Sequence, residues 1–132
     1  MGKAQAARLI IVETLSMNIN DKTDDEVKEI ALPMWEAQLK YSREGDYESF
    51  SRNIEESMLA TVNQELAAKQ FYEDKLTRSL SPEYDFLGLL RRGDQVTCLF
   101  RVFSTEKEGE WLGRMVLGYD NDEIRIFASS IF

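Results

Sequence analysis

The chain has 132 residues, of which 43% are hydrophobic, enough for one compact domain with a buried core. Its net charge of −8 is spread over both halves of the sequence, and a diffuse acidic surface repels nucleic-acid phosphates and anionic membranes. Histidine is absent and Cys98 is the single cysteine, which excludes an internal disulfide and a cysteine-rich zinc site. We therefore predict no metal, no cofactor, no nucleic-acid partner and no membrane partner.

Residues 1–22 precede the first strong helix signal and are predicted to form an N-terminal extension. Their apolar run, Leu9–Val12, is too short for a secretory signal or a membrane span, which favours a cytoplasmic protein. The segment is either a short leading helix or a leader ahead of a start at Met17. Deleting residues 1–16 is expected to leave the rest of the chain folded.

The first predicted helix begins at a capping box. Thr23 can cap the helix, and Glu26 can reach back to the backbone of Thr23. Apolar residues then follow at helical spacing as far as Gly45, which is a natural stop. Pro33 lies inside this stretch and is expected to kink the helix or to split it.

Two further helices are predicted before Pro82. Asp46 can cap the second, which carries an aromatic side. Thr61 and Gln64 have the spacing of another capping box, so they are expected to begin the third.

After Pro82 the apolar period changes from helical spacing to alternation, which indicates strands. The predicted strands are Tyr84–Arg91, Gln95–Phe103, Glu110–Tyr119 and Glu123–Phe132. Their connections are short, and Gly93-Asp94 suits a two-residue hairpin turn, so neighbouring strands should be antiparallel. We predict a single α+β domain over residues 23–132, with N-terminal helices packed on a curved four-stranded meander.

This order of elements resembles the NTF2-like superfamily, also called cystatin-like α+β cones. The segment WEAQLKYSREGDYESFSRNI is similar to the opening of such domains, with a helix that ends at Gly-Asp and a second helix that carries aromatics. The resemblance implies a ligand pocket between helices and sheet, and a dimer through the opposite sheet face. The superfamily includes isomerases, dehydratases, cyclases and non-catalytic binding domains, so the fold does not choose the function.

Pairing the strands through their turns predicts two apolar sheet faces, although a one-residue slip would exchange the faces of a strand. One face is assigned to the core and includes Arg114 and Asp85. The other face is rich in aromatic residues, methionine and arginine, a composition typical of protein interfaces. Its candidate residues for a homodimer interface are Arg101, Phe103, Trp111, Met115, Arg125 and Phe127.

The function predicted from these features is a non-catalytic, homodimeric domain that binds a small apolar or weakly anionic ligand. Arg114 is either a structural ion-pair partner or an anchor for that ligand. Trp35 and Trp111 are predicted as core and interface anchors in preference to ligand-stacking platforms. The candidates for the pocket are Arg114, Asp85, Trp35 and Tyr72, and no catalytic residue is assigned. The alternative is an enzyme that uses a carboxylate as general base in the same pocket.

Overall fold

A computed structural model describes residues 17–132 and has helices packed on one face of a four-stranded antiparallel sheet in the order β1-β2-β3-β4. The predicted α+β class and the meander are therefore confirmed, whereas the predictions for residues 1–16 lie outside the described residues. After a short 3-10 turn at Ile19–Asp21, the helices are α1 Asp24–Glu44, α2 Tyr47–Ser51, α3 Glu56–Ala60, α4 Gln64–Glu73 and α5 Lys75–Arg78. The strands are β1 Leu80–Arg92, β2 Gln95–Ser104, β3 Trp111–Asp120 and β4 Glu123–Ile131.

The capping box predicted for α1 is confirmed. Glu26 N donates to Thr23 Oγ1 over 3.2 Å, and Thr23 N donates to Glu26 Oε1 over 2.9 Å. Gly45, with φ of 68°, ends the helix in the left-handed region that glycine adopts without strain. The predicted split at Pro33 is wrong, because α1 is one continuous helix of 21 residues and Pro33 lies on its exposed side. Its buried apolar stripe is Val27, Ala31, Trp35 and Leu39.

The second and third predicted helices are each broken into two short ones. The side chains of Glu55 and Asp74 accept hydrogen bonds from backbone N–H groups at the starts of α3 and α5, so each begins a new helix. Asn63 caps α4, and the capping box predicted at Thr61 is wrong. The segment between α2 and α3 is tied to the sheet, since Glu55 N donates to the carbonyl of Ile126 over 2.9 Å.

The register of β3 differs from the prediction by one residue. The hairpin turn at Gly93-Asp94 is confirmed. A loop centred on Lys107 predicts that Phe100 pairs with Arg114, but Phe100 pairs with Gly113. Because alternate residues point to opposite faces, this shift moves every side chain of β3 to the other face. The loop before β3 carries no strong turn signal, which is why its centre was misplaced.

The face assignments of β3 are therefore corrected. Met115 is 0% exposed and lies on the inner face, which the helices cover, and Trp111 lies on the same face and packs on the core. Their predicted position on the outer face, the side of the sheet turned away from the helices, is wrong. Arg114 lies on the outer face, where its pair partners are Leu99 and Ser130.

Three register shifts occur in the pairing of the edge strands, two in β1 and one in β4. A register shift between Phe86 and Gly88 in β1 places Asp85 on the outer face, so its predicted position on the core face is also wrong. In β4, Leu117 pairs with Ile126 and Val116 pairs with Ala128, so Phe127 between them is an extra, unpaired residue. Bulges of this kind cannot be read from alternation, because they break the period that predicts the faces.

The core lies between α1 and the inner face. Trp35 stacks on Phe100 with ring centroids 4.4 Å apart and an interplanar angle of 2°. The indole also lies directly over Gly113, where an added Cβ would come within 2.4 Å of Trp35 Cζ2. Glycine at this position of β3 therefore lets α1 approach the sheet closely.

Candidate ligand cavity

A cavity of about 280 Å³ lies at one end of the interface between the helices and the sheet. Residues of α1, α2, α4, α5, β1 and β4 line it. Its apolar wall consists of Leu39, Phe50, Phe71, Leu76, Leu80 and Ile131. Its side-chain hydroxyl groups belong to Ser42, Thr77 and Ser129. An apolar wall with a few polar groups is the usual composition of a small-molecule site.

One face of α1 forms a side of the cavity, and this face includes Gln38, the most deeply buried polar residue of the lining. Four residues of α1 line the cavity at spacings of three, one and three positions, so they share one face of the helix. They are Trp35, Gln38, Leu39 and Ser42. Gln38 is 3% exposed, and its Nε2 donates to the carbonyl oxygen of Phe50 over 2.9 Å. This bond fixes the orientation of the amide.

Two buried polar atoms of this helix face have no hydrogen-bond partner among residues 17–132. They are Oε1 of Gln38, an acceptor, and Nε1 of Trp35, a donor. Leaving a buried polar group unpaired typically costs about 1–3 kcal/mol, so nearly all such groups in folded proteins are paired with protein, water or ligand.

The two phenylalanine rings of the cavity wall belong to an aromatic cluster whose third ring, Tyr47, lies outside the lining. Phe50 and Phe71 have ring centroids 4.6 Å apart, and Tyr47 meets Phe71 edge-on at 5.6 Å. Burial raises the pKa of Tyr47 above its ordinary value, so the phenol stays neutral. The wall therefore offers ring faces and edges but no charge.

Asp74 is the one charged residue among the described residues that line the cavity. Its carboxylate accepts a hydrogen bond from the backbone N–H of Thr77 over 3.0 Å and caps α5. No lysine or arginine of the described chain lines the cavity. The site thus contains nothing that would neutralise an anion.

Of the four residues predicted for a pocket, the structure places only Trp35 at this cavity. Arg114 and Asp85 lie on the outer face, and Tyr72 is 60% exposed, with its ring centroid 4.6 Å from the guanidinium carbon of Arg78. Sequence reasoning missed Gln38, for which a signal existed, because it is a polar residue inside the apolar stripe of α1.

Three strand arginines, Arg101, Arg114 and Arg125, lie on the outer face, and two of them form salt bridges there. Arg101 contacts Asp85 at 3.2 Å and Glu110 at 3.3 Å, and Arg125 contacts Glu123 at 2.6 Å. Phe103 and Phe127, the other candidates for an interface, lie on the same face. These arginines occupy hydrophobic strands because the face they share is only partly apolar and its margins are acidic.

Arg114 differs from the other two arginines. Its Nε donates to Ser130 Oγ over 3.3 Å, and its guanidinium carbon lies 5.8 Å from the ring centroid of Phe132. Within the described part of the chain, no carboxylate forms a salt bridge with it. Around it the face exposes large apolar side chains, among them Leu90, Leu112 and Phe132.

Carboxylates with shifted pKa values serve the helix termini. The pKa values of Glu26, Asp46 and Glu55 are all lowered, because each side chain accepts hydrogen bonds from groups at a helix start. Besides Tyr47, two groups have a raised pKa. Burial raises the pKa of the Cys98 thiol to about 12, and burial with a hydrogen bond to Glu36 raises the pKa of Tyr84 to about 12.

None of the helices within residues 17–132 is both long and apolar enough to cross a membrane. Comparisons of the chain with protein-family models, with curated proteins and with solved structures found no match. The class that the fold and the site define is therefore an α+β domain with a cavity between its helical layer and its sheet.

Proposed function

We propose that the chain is a non-catalytic NTF2-like domain that binds a small molecule in the cavity beside α1. The observation that carries this proposal is the cavity itself, about 280 Å³ in volume, which aromatic, aliphatic and hydroxyl side chains line between the helices and the sheet. A long helix across a four-stranded antiparallel meander supports the NTF2-like part of the proposal.

The size of the cavity suits a molecule with one or two rings. An apolar cavity of about 150 Å³ in another protein holds benzene, and the cavity here measures about 280 Å³. Phe50 and Phe71 supply ring contacts for such a molecule, and the hydroxyls of Thr77 and Ser129 supply polar contacts.

Filling the cavity should remove binding without unfolding the protein. Ser129 lies on the inner face of β4 and lines the cavity, so Ser129→Phe places a ring inside it. We expect one- and two-ring fragments to raise the melting temperature of the wild-type protein but not of Ser129→Phe. The matched control is Thr97→Phe, which adds the same ring on the outer face and should keep the thermal shift. Equal shifts in wild type and Ser129→Phe would contradict the proposal.

The arrangement of carboxylates favours binding over catalysis. A carboxylate general base in a pocket is usually recognised by a pKa that burial has raised toward neutrality. Here the carboxylate at the cavity, Asp74, caps a helix, and the pKa values that shift among the described carboxylates move downward. An enzyme remains the alternative proposal, and turnover abolished by Asp74→Asn in a folded protein would favour it.

We also propose that the outer face binds a second copy of the chain. Its apolar side chains Leu90, Leu112 and Phe132 are exposed, and patches of this kind on small soluble proteins commonly mark interfaces. The outer face is self-complementary in charge. Arg114 lies in its middle without a carboxylate partner, and Glu123 lies at its margin. In a symmetric dimer whose two-fold axis does not pass through the centre of the outer face, Arg114 of each copy lies near the acidic margin of the other copy.

A charge on the outer face tests self-association. Leu112 is 39% exposed there, so Leu112→Glu should abolish dimers by placing an unpaired carboxylate in the contact. Leu66, which is 51% exposed on α4, provides the control Leu66→Glu, and this variant should stay dimeric. Light scattering at micromolar concentration measures both masses.

Two results would count against a second copy on this face. One is a wild-type protein that is monomeric at this concentration. The other is a protein that dimerises only after deletion of residues 1–16, since that segment would then be the occupant of the face.

We further propose a cytoplasmic location. Cys98 is a free thiol that is 0% exposed in the core, and its raised pKa keeps it protonated, which suits a reducing compartment without requiring one.

A further inference from the structure

We infer that the ligand of the cavity is a cation that carries an apolar ring, as an arylalkyl amine does, with its ammonium group beside Asp74 and its ring against Phe50 and Phe71. This inference rests on the proposed binding function and narrows it. It replaces the weakly anionic ligand that the sequence indicated, because Arg114, the arginine expected to hold an anion, lies on the outer face.

The carboxylate of Asp74 has acceptor capacity that the protein does not use. Its Oδ1 accepts the hydrogen bond from the backbone N–H of Thr77 that caps α5, and no group of residues 17–132 donates to its Oδ2. Among the same residues, no lysine or arginine forms a salt bridge with it. An ionised carboxylate accepts up to about four hydrogen bonds, so an ammonium group can bind Asp74 while the helix cap stays intact.

The position of Asp74 suits a ligand with one charged end and one apolar end. Asp74 is exposed, whereas Trp35 and Leu80 of the same lining are buried, so the carboxylate lies where the cavity meets solvent. A ring packed against Phe50 and Phe71 fills the apolar part of the cavity and leaves a short alkyl ammonium group at this opening. The cation keeps part of its hydration there, so moving it from bulk water costs less than burying it.

The charges around the site rank a cation above a neutral molecule and above an anion of the same shape. No basic residue of the described chain lines the cavity, and the whole chain has a net charge of −8. An anion would be repelled by Asp74 and would lose hydration without gaining an ion pair. A neutral molecule gains the ring contacts alone. The cation gains the ion pair as well, and the negative faces of the phenylalanine rings attract it further.

Three probes of nearly equal size test this inference on the wild-type protein. At neutral pH benzylamine is a cation, benzyl alcohol is neutral and benzoate is an anion. In calorimetric titrations we expect benzylamine to bind about fivefold more tightly than benzyl alcohol, the gain of one partly exposed ion pair. Benzoate should bind more weakly than benzyl alcohol.

Salt provides a second measurement on the same wild-type protein. At about 1 M salt the screening length falls to about 3 Å, so an ion pair at the opening of the cavity is weakened while ring contacts are not. The preference for benzylamine over benzyl alcohol should therefore fall to less than about twofold. A preference that stays fivefold would show that an ion pair is not its cause.

A pair of variants that each remove one negative charge assigns the preference to Asp74. Asp74→Asn keeps a side chain that caps helices well, so it should fold and should bind benzylamine and benzyl alcohol equally. If it does not fold, Asp74→Ser, with another capping side chain, takes its place. The matched control is Glu73→Gln, because Glu73 is the exposed neighbour of Asp74 and does not line the cavity. Glu73→Gln should keep the fivefold preference.

The outcomes separate this inference from the proposal on which it rests. If benzyl alcohol or benzoate binds the wild-type protein as tightly as benzylamine, the cavity binds small molecules but the inferred class is wrong. If the Asp74 variant keeps the preference, or Glu73→Gln loses it, Asp74 is not the group that selects the ligand. If none of the three probes binds, the proposed function fails and this inference fails with it.

Discussion

Gly113 sets how closely α1 approaches the sheet. An added Cβ would lie 2.4 Å from Trp35 Cζ2 and 3.3 Å from Val102 Cγ1, so Gly113→Ala requires the indole or the strand to move. Overpacking of this kind typically costs about 1–3 kcal/mol, and we expect that loss in urea denaturation. The double variant Trp35→Phe with Gly113→Ala should lose less than the sum of the two single changes, since the smaller ring relieves the contact. Strictly additive losses would show that the contact is not the cause.

At the scale of single residues, the sequence predicts which side chains are buried better than it predicts which groups they contact. Cys98 stands in the apolar run VTCLFRVF, where a free cysteine is typically buried and inert, and both its burial and its raised pKa agree. The face of Arg114 could not be predicted, because it depends on whether an exposed loop of weakly determined geometry centres on one residue or on its neighbour. The role of Gln38 depends on the carbonyl of Phe50, which only the folded chain brings close.

At the scale of elements, the start of α1 should make stability dependent on acid pH. Hydrogen bonds at the cap lower the pKa of Glu26, so its contribution is complete above the unfolded value of 4.5 and is lost as pH falls through the folded value. Glu26→Gln should therefore flatten the fall of melting temperature on the acid side. A fall as steep as in wild type would show that other carboxylates, such as Asp46, dominate.

The cap itself offers a second test at this scale. Thr23→Ala removes the acceptor of the N–H of Glu26 and should cost about 1 kcal/mol at neutral pH, measured by thermal or urea unfolding. Thr61→Ala is the control, because Thr61 was expected to cap a helix and does not, and its Oγ1 donates only to the exposed carbonyl of Met58. A loss as large in Thr61→Ala as in Thr23→Ala would contradict this account of the cap.

Local signals explain which elements the sequence predicts. The turn at Gly93-Asp94 and the cap at Thr23 are made within a few residues, and both are confirmed. Pro33 is a strong local signal that was overridden, because the buried stripe of α1 packs along the sheet on both sides of it. The breaks at Glu55 and Asp74 follow from side chains that cap new helices, which helical spacing alone does not show.

At the scale of the whole molecule, the two faces of the sheet differ in composition and burial. The inner face holds the core and the cavity, and the outer face gathers arginines, carboxylates and exposed apolar side chains in a chain of net charge −8. Ligand binding and self-association are therefore proposed for opposite sides of one sheet. Variants on the outer face are expected to change the mass of the protein in solution without changing its affinity for a ligand.

The central claim, that the cavity beside α1 binds a small molecule, is tested most directly by methyl NMR during titration with benzylamine. The methyl groups of Leu39, Leu76 and Ile131 line the cavity, whereas those of Leu90 and Leu112 lie on the outer face and serve as internal controls. The account predicts that the three cavity residues shift in a saturable manner and that the two outer leucines do not. Shifts confined to Leu90 and Leu112, or no saturable shift at Leu39, Leu76 and Ile131, would contradict it.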